Sequence, residues 1–211
     1  MSLAAVVEAA KAYFSEGMNP AHDWHHVERV DANADRLRSE YQAVDDFVVR
    51  ASVYLHDIGR EREDTGEITD HAEWGARESE TILREHGVAA ERVSAISHAI
   101  RAHRFSRGPE PESLEAKILS DADNLDALGA VGIARCFTQG GDRGSPIHDP
   151  DLPPKADETE AGATQYNHFY KKLLDLPARM YTQTGREIAE DRREFMKQFL
   201  TRFDDEIAGD R

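Results

Sequence analysis

The chain has 211 residues, of which 39% are hydrophobic and 32% charged, and its formal net charge at pH 7 is −15. That size and composition fit a globular protein with a substantial core, as one large domain rather than two small ones. The negative charge disfavours a general nucleic-acid or anionic-membrane surface, which would need clustered positive charge, and no apolar run approaches the ~20 residues that span a bilayer.

Apolar residues recur at helical spacing through the first 130 residues, and no segment has a convincing strand pattern. Asp45, Asp70 and Ser113 stand where helix N-caps are expected, and Gly87 stands where a helix would end. This part of the chain is therefore predicted to form six helices, at about residues 3–16, 23–41, 46–55, 70–87, 90–103 and 113–128.

The segment from Gly140 to about Ala163 differs from the rest, because it holds four of the eight prolines and several glycines and has little periodicity. A long irregular loop inside a domain is more often functional or mobile than ordinary. Two interpretations stay open: a mobile lid over the functional site, or a surface excursion. Helices are expected again at 165–176 and 184–207, so the fold prediction is one all-α domain with a site core at about 20–130, a loop at 140–163 and C-terminal helices at 164–207.

Six lysines against twenty arginines, together with 41 acidic residues, indicate a salt-adapted surface. The single cysteine, Cys136, cannot form an internal disulfide and is expected to be a small buried residue. The first residues lack the basic start and long apolar stretch of a secretory signal. These features predict a cytoplasmic location.

The strongest chemical signal is an adjacent pair, His56-Asp57, at the end of the apolar run Phe47 to Leu55. Polar groups at such a position would be buried, which is costly unless they are paired or bind a metal. A His-rich segment, 22–26, precedes the pair, and an Asp-rich helical segment, 121–126, follows it. Imidazole and carboxylate together suit a divalent transition ion, so the three segments predict one metal site assembled by folding.

The order of these segments resembles the HD-domain superfamily of metal-dependent phosphohydrolases. Later stretches, including 132–135, 140–150 and 167–173, resemble a branch of small single-domain HD proteins that includes nucleotide phosphohydrolases. The likeness spans roughly residues 4–207. It rests on these segments: His22-Asp23-x-x-His26-x-x-Arg29-Val30, Leu55-His56-Asp57-Ile58-Gly59 and Lys117 to Ala130.

The resemblance implies one divalent ion, with Mn²⁺ favoured and Mg²⁺, Fe²⁺, Co²⁺, Ni²⁺ or Zn²⁺ as alternatives. The implied ligands are His26, His56, Asp57 and Asp123. Asp121 is two residues before Asp123 on a helix and points about 200° away, so it is expected to be a surface or supporting carboxylate.

Further site residues are expected around this ion. Asp57, Arg29 and Lys117 are the catalytic candidates, with a surface salt bridge as the alternative for Arg29 and a solvated position for Lys117. Some superfamily members hold two metals on extra histidines, but a single ion is favoured here. The candidate substrate-binding residues are His22, which could instead orient a ligand, His71 and His103 lining a phosphate pocket, and Arg143 and His148 in the loop.

These features favour hydrolysis of a nucleotide, most readily a (deoxy)nucleoside triphosphate, by attack of a metal-activated water on phosphorus. A nucleoside monophosphatase or a phosphodiesterase is the alternative enzyme. A non-catalytic metal- and nucleotide-binding sensor is the alternative from another class, and retention of all four ligand types favours catalysis over it. The expected partner is a small phosphorylated molecule, with no nucleic acid and no membrane, and a homodimer stays open.

Overall fold

The computed structural model describes residues 2–104 and 108–210, and over these ranges the fold is helical without strands. The all-α prediction is confirmed. The described chain forms ten α-helices and a 3₁₀ helix: α1 Leu3–Lys11, α2 Trp24–Arg38, α3 Asp46–Leu55, α4 Arg60–Asp64, α5 His71–Glu85, α6 Ala90–Ala102, α7 Leu114–Asp126, α8 Gly129–Asp142, α9 Gln165–Lys171, the 3₁₀ helix Leu173–Arg179 and α10 Gln183–Ala208. None of the described helices is both long and apolar enough to cross a bilayer.

The chain divides into two compact units, Met1–Asn124 and Leu125–Arg211. The first contains α1 to α6 and nearly all of α7, and the second contains α8 to α10 with the 3₁₀ helix. The assignment of the whole chain to a single domain stays a prediction.

The predicted N-caps fix where the helices of the first unit begin. Asp45 accepts hydrogen bonds from the N–H groups of residues 47 and 48, at 3.1 and 3.3 Å, and Asp70 accepts from those of residues 72 and 73, at 3.0 and 3.1 Å. At the start of α2, Asp23 accepts from the N–H of His26 at 2.9 Å. Each carboxylate satisfies N–H groups that have no partner within the helix.

Helix ends were predicted less well than helix starts. The first two helices end at Lys11 and Arg38, several residues before the predicted 16 and 41. The helix predicted at 165–176 ends at Lys171 and gives way to the 3₁₀ helix, which contains Pro177. The short helix α4 was not predicted, because its sequence Arg-Glu-Arg-Glu-Asp has no apolar periodicity.

The core of the first unit surrounds α3, which packs against α1, α2 and α6. α5 packs along α6. Leu55 and Ile58, on either side of the His56-Asp57 pair, are buried in this core. The pair is therefore held by apolar neighbours as well as by its own contacts. The main buried members of the core are Val6, Ala10, Val48, Ala51, Leu55, Ile58, Ala76, Leu83, Val93, Ile96 and Ile100.

The second unit has its own aromatic core, in which α8, α9 and α10 each contribute rings. Phe137 lies 5.9 Å from Phe169 and 6.0 Å from Phe199, measured between ring centroids. Such spacing is typical of attractive aromatic pairs.

The irregular loop begins three residues after the predicted start at Gly140, because α8 continues to Asp142. Hydrogen bonds to the side chain of Asp157 hold the rest of the loop together. That carboxylate accepts four hydrogen bonds, from the N–H and hydroxyl of Thr159 at 2.9 and 2.6 Å, the N–H of Ala163 at 2.7 Å and the side chain of Asn167 at 2.8 Å. Two backbone bonds join the loop ends, from residues 165 and 166 to the carbonyls of residues 146 and 147, both at 2.9 Å. The lid role stays a prediction.

Candidate metal centre

The four predicted ligands all lie in the first unit, on or directly after three helices that are distant in sequence. His26 is in the first turn of α2, and His56 and Asp57 follow the last residue of α3. Asp123 is on α7. The His26 and His56 side chains are fully buried, that of Asp57 is 3% exposed, and that of Asp123 is 24% exposed. The cluster therefore has one partly open side, at Asp123.

Distances within this cluster suit a common ion. His26 Nε2 lies 3.4 Å from His56 Nε2 and 3.4 Å from Asp123 Oδ1. Asp57 Oδ2 lies 3.6 Å from Nε2 of both histidines. Two ligands bound at ~2.1 Å to one ion at a tetrahedral angle stand about 3.4 Å apart. The residues present thus fit a divalent metal, in donor type and in spacing, and we call them the first donor set.

A second donor set lies on the other side of Asp57. Oδ1 of Asp57 is 3.2 Å from His71 Nε2 and 3.8 Å from His103 Nε2, and these two nitrogens are 3.4 Å apart. Asp57 therefore turns one oxygen towards each set. His71 and His103 were predicted to line a pocket, and the structure brings them into direct contact with a predicted metal ligand.

Backbone carbonyls fix the orientation of two histidines. Nδ1 of His56 is 2.7 Å from the carbonyl oxygen of Val53, and Nδ1 of His103 is 2.6 Å from that of Ile100. A carbonyl only accepts hydrogen bonds, so Nδ1 carries the proton in each ring and Nε2 faces the cluster. This orientation is usual for metal-binding histidines.

Nδ1 of His71 is held in another way, by the carboxylate of Glu63 at 2.6 Å. Glu63 belongs to α4, which was not predicted from the sequence, and Glu63 was not among the predicted site residues. Its only sequence signal is a carboxylate six residues after Asp57, which is weak because that stretch is charged throughout.

His22 lies beside the first donor set. Its Nδ1 is 3.0 Å from Asp57 Oδ2, and its ring centroid is 5.4 Å from that of His26. Of the two expectations for His22, this geometry favours orientation of a ligand. Asn33 supports the same region from α2, because its side chain donates a 3.0 Å hydrogen bond to the carbonyl of Ala122, the residue before Asp123.

The histidines hold both carboxylates in their ionised form. Burial raises the pKa of Asp57, but the nearby His56 and hydrogen bonds from His22 and His71 outweigh it and leave that pKa well below its usual range. Burial likewise raises the pKa of Asp123, and His26, His56 and His103 reverse the effect. Ionised carboxylates are the form that binds a cation.

The two histidines of the second donor set differ in pKa. Burial, with the neighbouring His56 and His71, lowers the pKa of His103 to about 4. Burial also lowers the pKa of His71, but hydrogen bonds to Asp57 and Glu63 outweigh it and raise that pKa to about 9. His103 is therefore neutral at pH 7.

The remaining candidates lie on α2, on α7 and at or after the end of α8. Arg29 is half-buried on α2, three residues after His26. Lys117 is half-buried on α7, six residues before Asp123 and so about 120° away around the helix. Arg143, the C-cap of α8, is exposed, and the ring of His148 packs against Tyr166 at 5.3 Å.

Two further residues test the sequence interpretation. Of the two expectations for Asp121, a surface position is wrong, because Asp121 is fully buried, and the role of a supporting carboxylate stays a prediction. Cys136 is buried as expected, and burial raises the pKa of its thiol to about 12, which keeps it protonated and unreactive at neutral pH.

Comparison with known proteins agrees with this geometry. The HD domain family matches residues 23–128, which include all four predicted ligands. The Bacillus subtilis protein YpgQ is 37% identical over 192 residues, covering 89% of this chain and 85% of YpgQ.

Solved structures give the same result. The crystal structure of YpgQ in complex with ADP superposes with a TM-score of 0.76 at 30% identity, covering 99% of both chains. The structure of a Lactobacillus plantarum protein has a TM-score of 0.80 at 31% identity, and the match covers 98% of this chain and 97% of that one. The structure of an HD-superfamily hydrolase from Bacillus thuringiensis has a TM-score of 0.74 at 32% identity, with 98% of this chain and 96% of that one covered. The chain therefore belongs to the HD-domain family and is a metal-dependent phosphohydrolase.

Proposed function

We propose that this protein hydrolyses a phosphate bond of a nucleotide, most readily of a (deoxy)nucleoside triphosphate. The observation that carries the proposal is the buried cluster in which Asp57 faces two sets of histidines. The ADP complex of YpgQ supports a nucleotide as the substrate class. A monophosphatase or phosphodiesterase activity is the alternative within the same chemistry.

We assign the resident ion to the first donor set, His26, His56, Asp57 and Asp123. Mn²⁺ is favoured by the resemblance described above, and Mg²⁺, Fe²⁺, Co²⁺, Ni²⁺ and Zn²⁺ are compatible with the same mixed imidazole and carboxylate donors. Such an ion, when bound, lowers the pKa of a water and polarises a phosphoryl oxygen.

The protein's own groups then have distinct tasks. His22 holds Asp57 Oδ2 in place through its 3.0 Å contact. We assign His71 and His103, whose Nε2 atoms face Asp57 Oδ1, to the phosphate side of the site. A measured content of two ions per chain would reassign these two histidines as ligands.

Negative charge that develops on the leaving group must be neutralised by positive groups near the site. Arg29, on the helix of His26, and Lys117, on the helix of Asp123, are the proposed sources of positive charge. Arg143 and His148 are proposed to contact the substrate. Because the net charge is −15, any anionic substrate depends on such local positive groups.

The test is phosphate release from a panel of nucleoside triphosphates, monophosphates and phosphodiesters with each divalent ion. We expect release from triphosphates with Mn²⁺, and a loss of roughly 100-fold or more in Asp57→Ala, because a metal ligand and the partner of several histidines disappear together. Asp35→Ala, at an exposed position on α2 paired with Arg38, is the matched control and should keep full activity.

Two outcomes would overturn the proposal. Undiminished release by a folded Asp57→Ala protein would place the chemistry elsewhere. Tight nucleotide binding by calorimetry without release from any member of the panel would favour the sensor alternative.

We also propose a cytoplasmic location and a salt-adapted surface. The single cysteine fits a reducing compartment, and the six lysines against 41 acidic residues fit a surface that is screened by salt.

A further inference from the structure

Glu63 uses both carboxylate oxygens to join the two helices that carry the second donor set. Oε2 lies 2.6 Å from Nδ1 of His71, the first residue of α5. Oε1 lies 3.0 Å from the guanidinium of Arg104, two residues after the end of α6. Arg104 directly follows His103, so one carboxylate contacts one donor histidine and the neighbour of the other.

We propose that Glu63 is a positioning residue that fixes His71 with its proton on Nδ1 and its Nε2 towards Asp57 and His103. A carboxylate can only accept a hydrogen bond here, so Nδ1 must donate. His56 and His103 achieve the same orientation with backbone carbonyls. His71 is at the start of its helix, where α5 offers no preceding turn with a carbonyl to accept, and Glu63 takes that place.

The surroundings of Glu63 keep it in position. Arg60 contacts the same Oε2 at 3.2 Å and also Asp64 at 2.8 Å, and Arg104 also contacts Asp70 at 3.4 Å. Two arginines therefore hold the carboxylate from different directions. The alternative is that this group of charges only ties α4 to α5 and has no effect on the orientation of His71.

The proposal rests on the proposed metal site, so its test uses histidine protonation and metal affinity rather than turnover. Long-range ¹H–¹⁵N spectra of the metal-free protein, recorded above the pKa of about 9 of His71 so that its ring is neutral, report which nitrogen carries the proton. Calorimetry with Mn²⁺ gives the affinity. The variants are Glu63→Ala, which removes the acceptor, and Glu63→Gln, which keeps an acceptor without the charge. Glu61→Gln is the matched control, because Glu61 lies on the same helix and contacts Ser15 instead of a histidine.

We expect the Nδ1 signal of His71 to move in Glu63→Ala. The Mn²⁺ affinity should fall by up to about 10-fold, the lower end of the usual effect of changing an outer partner of a metal ligand, because Glu63 acts on the ligand Asp57 only through His71. Glu63→Gln should recover part of both changes, and Glu61→Gln should match the parent. If Glu63→Ala does not fold, Glu63→Gln decides the question, since it should still lower the affinity measurably.

An unchanged His71 signal in folded Glu63→Ala would overturn the inference, even if stability fell, because the carboxylate would then act only as a tie between helices. A fall in affinity equal to that in Glu61→Gln would overturn it as well. Neither result bears on the proposed function, which is tested separately by phosphate release from the nucleotide panel with the parent and with a folded Asp57→Ala protein.

Discussion

Replacement of Gly59 by alanine tests how tightly the fold closes around the His56-Asp57 pair. A Cβ on Gly59 would stand 2.8 Å from the carbonyl oxygen and 3.2 Å from the Cα of His71, and 3.0 Å from Cε3 of Trp74. Ordinary contact starts at about 3.4 Å, and the nearest atom is backbone, which cannot rotate away. The start of α5 must therefore move by about 0.6 Å, the difference between those two distances.

That displacement acts directly on the site, because His71 Nε2 is only 3.2 Å from Asp57 Oδ1. Overpacking of this kind typically costs about 1–3 kcal/mol, which for a chain of this size lowers the melting temperature by roughly 2–12 °C. Misplacement of catalytic groups by less than an ångström lowers turnover by roughly 10- to 100-fold. We expect both effects in Gly59→Ala.

Gly75→Ala is the matched control on the same helix pair. A Cβ there would meet Ile58 Cγ1 at 3.6 Å and the carbonyl of His56 at 3.7 Å, both ordinary contacts. Alanine in a helix interior is more stable than glycine by up to about 1 kcal/mol, so this variant should melt at or above the parent temperature and keep its activity. Thermal unfolding and phosphate release of the two variants side by side provide the assay. If Gly59→Ala melts and turns over like Gly75→Ala, the reasoning from close packing at this site is refuted.

Three other predictions concern conditions rather than packing. A hydrogen bond from Ser97 lowers the pKa of Glu80, opposed by partial burial and assisted by Arg101. The stability that ionised Glu80 provides is therefore present above its ordinary pKa of 4.5 and is lost as the pH falls through the lowered pKa. The difference in urea midpoint between the parent and Glu80→Gln should thus shrink as the pH falls below 4.5, and a constant difference would contradict this. Repulsion between the acidic residues extends over ~30 Å at 0.01 M salt but only ~3 Å at 1 M, so the melting temperature should rise as KCl approaches the molar range. A flat or falling curve would mean that the acidic surface is an ordinary solvated one without salt adaptation. Removal of metal by a chelator should lower the melting temperature of the parent. Restoring Mn²⁺ at 100 times its dissociation constant should raise the free energy of unfolding by about 2.7 kcal/mol. Asp57→Ala should respond little to either treatment.

The first donor set was predicted on two grounds. His56 and Asp57 end an apolar helix, which is a local signal, whereas His26 and Asp123 were assigned because their segments resemble those of the HD-domain superfamily. Helix starts could also be predicted, since caps such as Asp45 and Asp70 act within three residues of their own position. These features depend on few neighbours, all close in sequence.

The second donor set was harder to predict because it depends on how distant helices meet. His71 and His103 are 32 residues apart, and only the packing of α5 on α6 brings their Nε2 atoms to 3.4 Å. Glu63 belongs to a short charged helix whose sequence has no periodic pattern, so neither the helix nor its role could be inferred. The burial of Asp121 likewise follows from tertiary packing, which helical geometry within α7 does not determine.

The hydrogen bonds around Asp157 fix both sides of one short stretch of the loop, so the length of that stretch can change without affecting its surroundings. Thr159, Ala163 and Asn167 hold the carboxylate from the C-terminal side, and the backbone bonds of residues 165 and 166 to residues 146 and 147 close the loop at its base. Residues 148–151 lie between these two fixed points. Extending a closed loop costs little entropy, about 0.6 kcal/mol for each doubling of its length. An insertion between Pro150 and Asp151 should therefore be tolerated without loss of the fold, since it disturbs the turn bond from the N–H of Asp151 to Asp149 but leaves His148 against Tyr166. This turn is thus a suitable position for grafting a peptide tag or a longer segment.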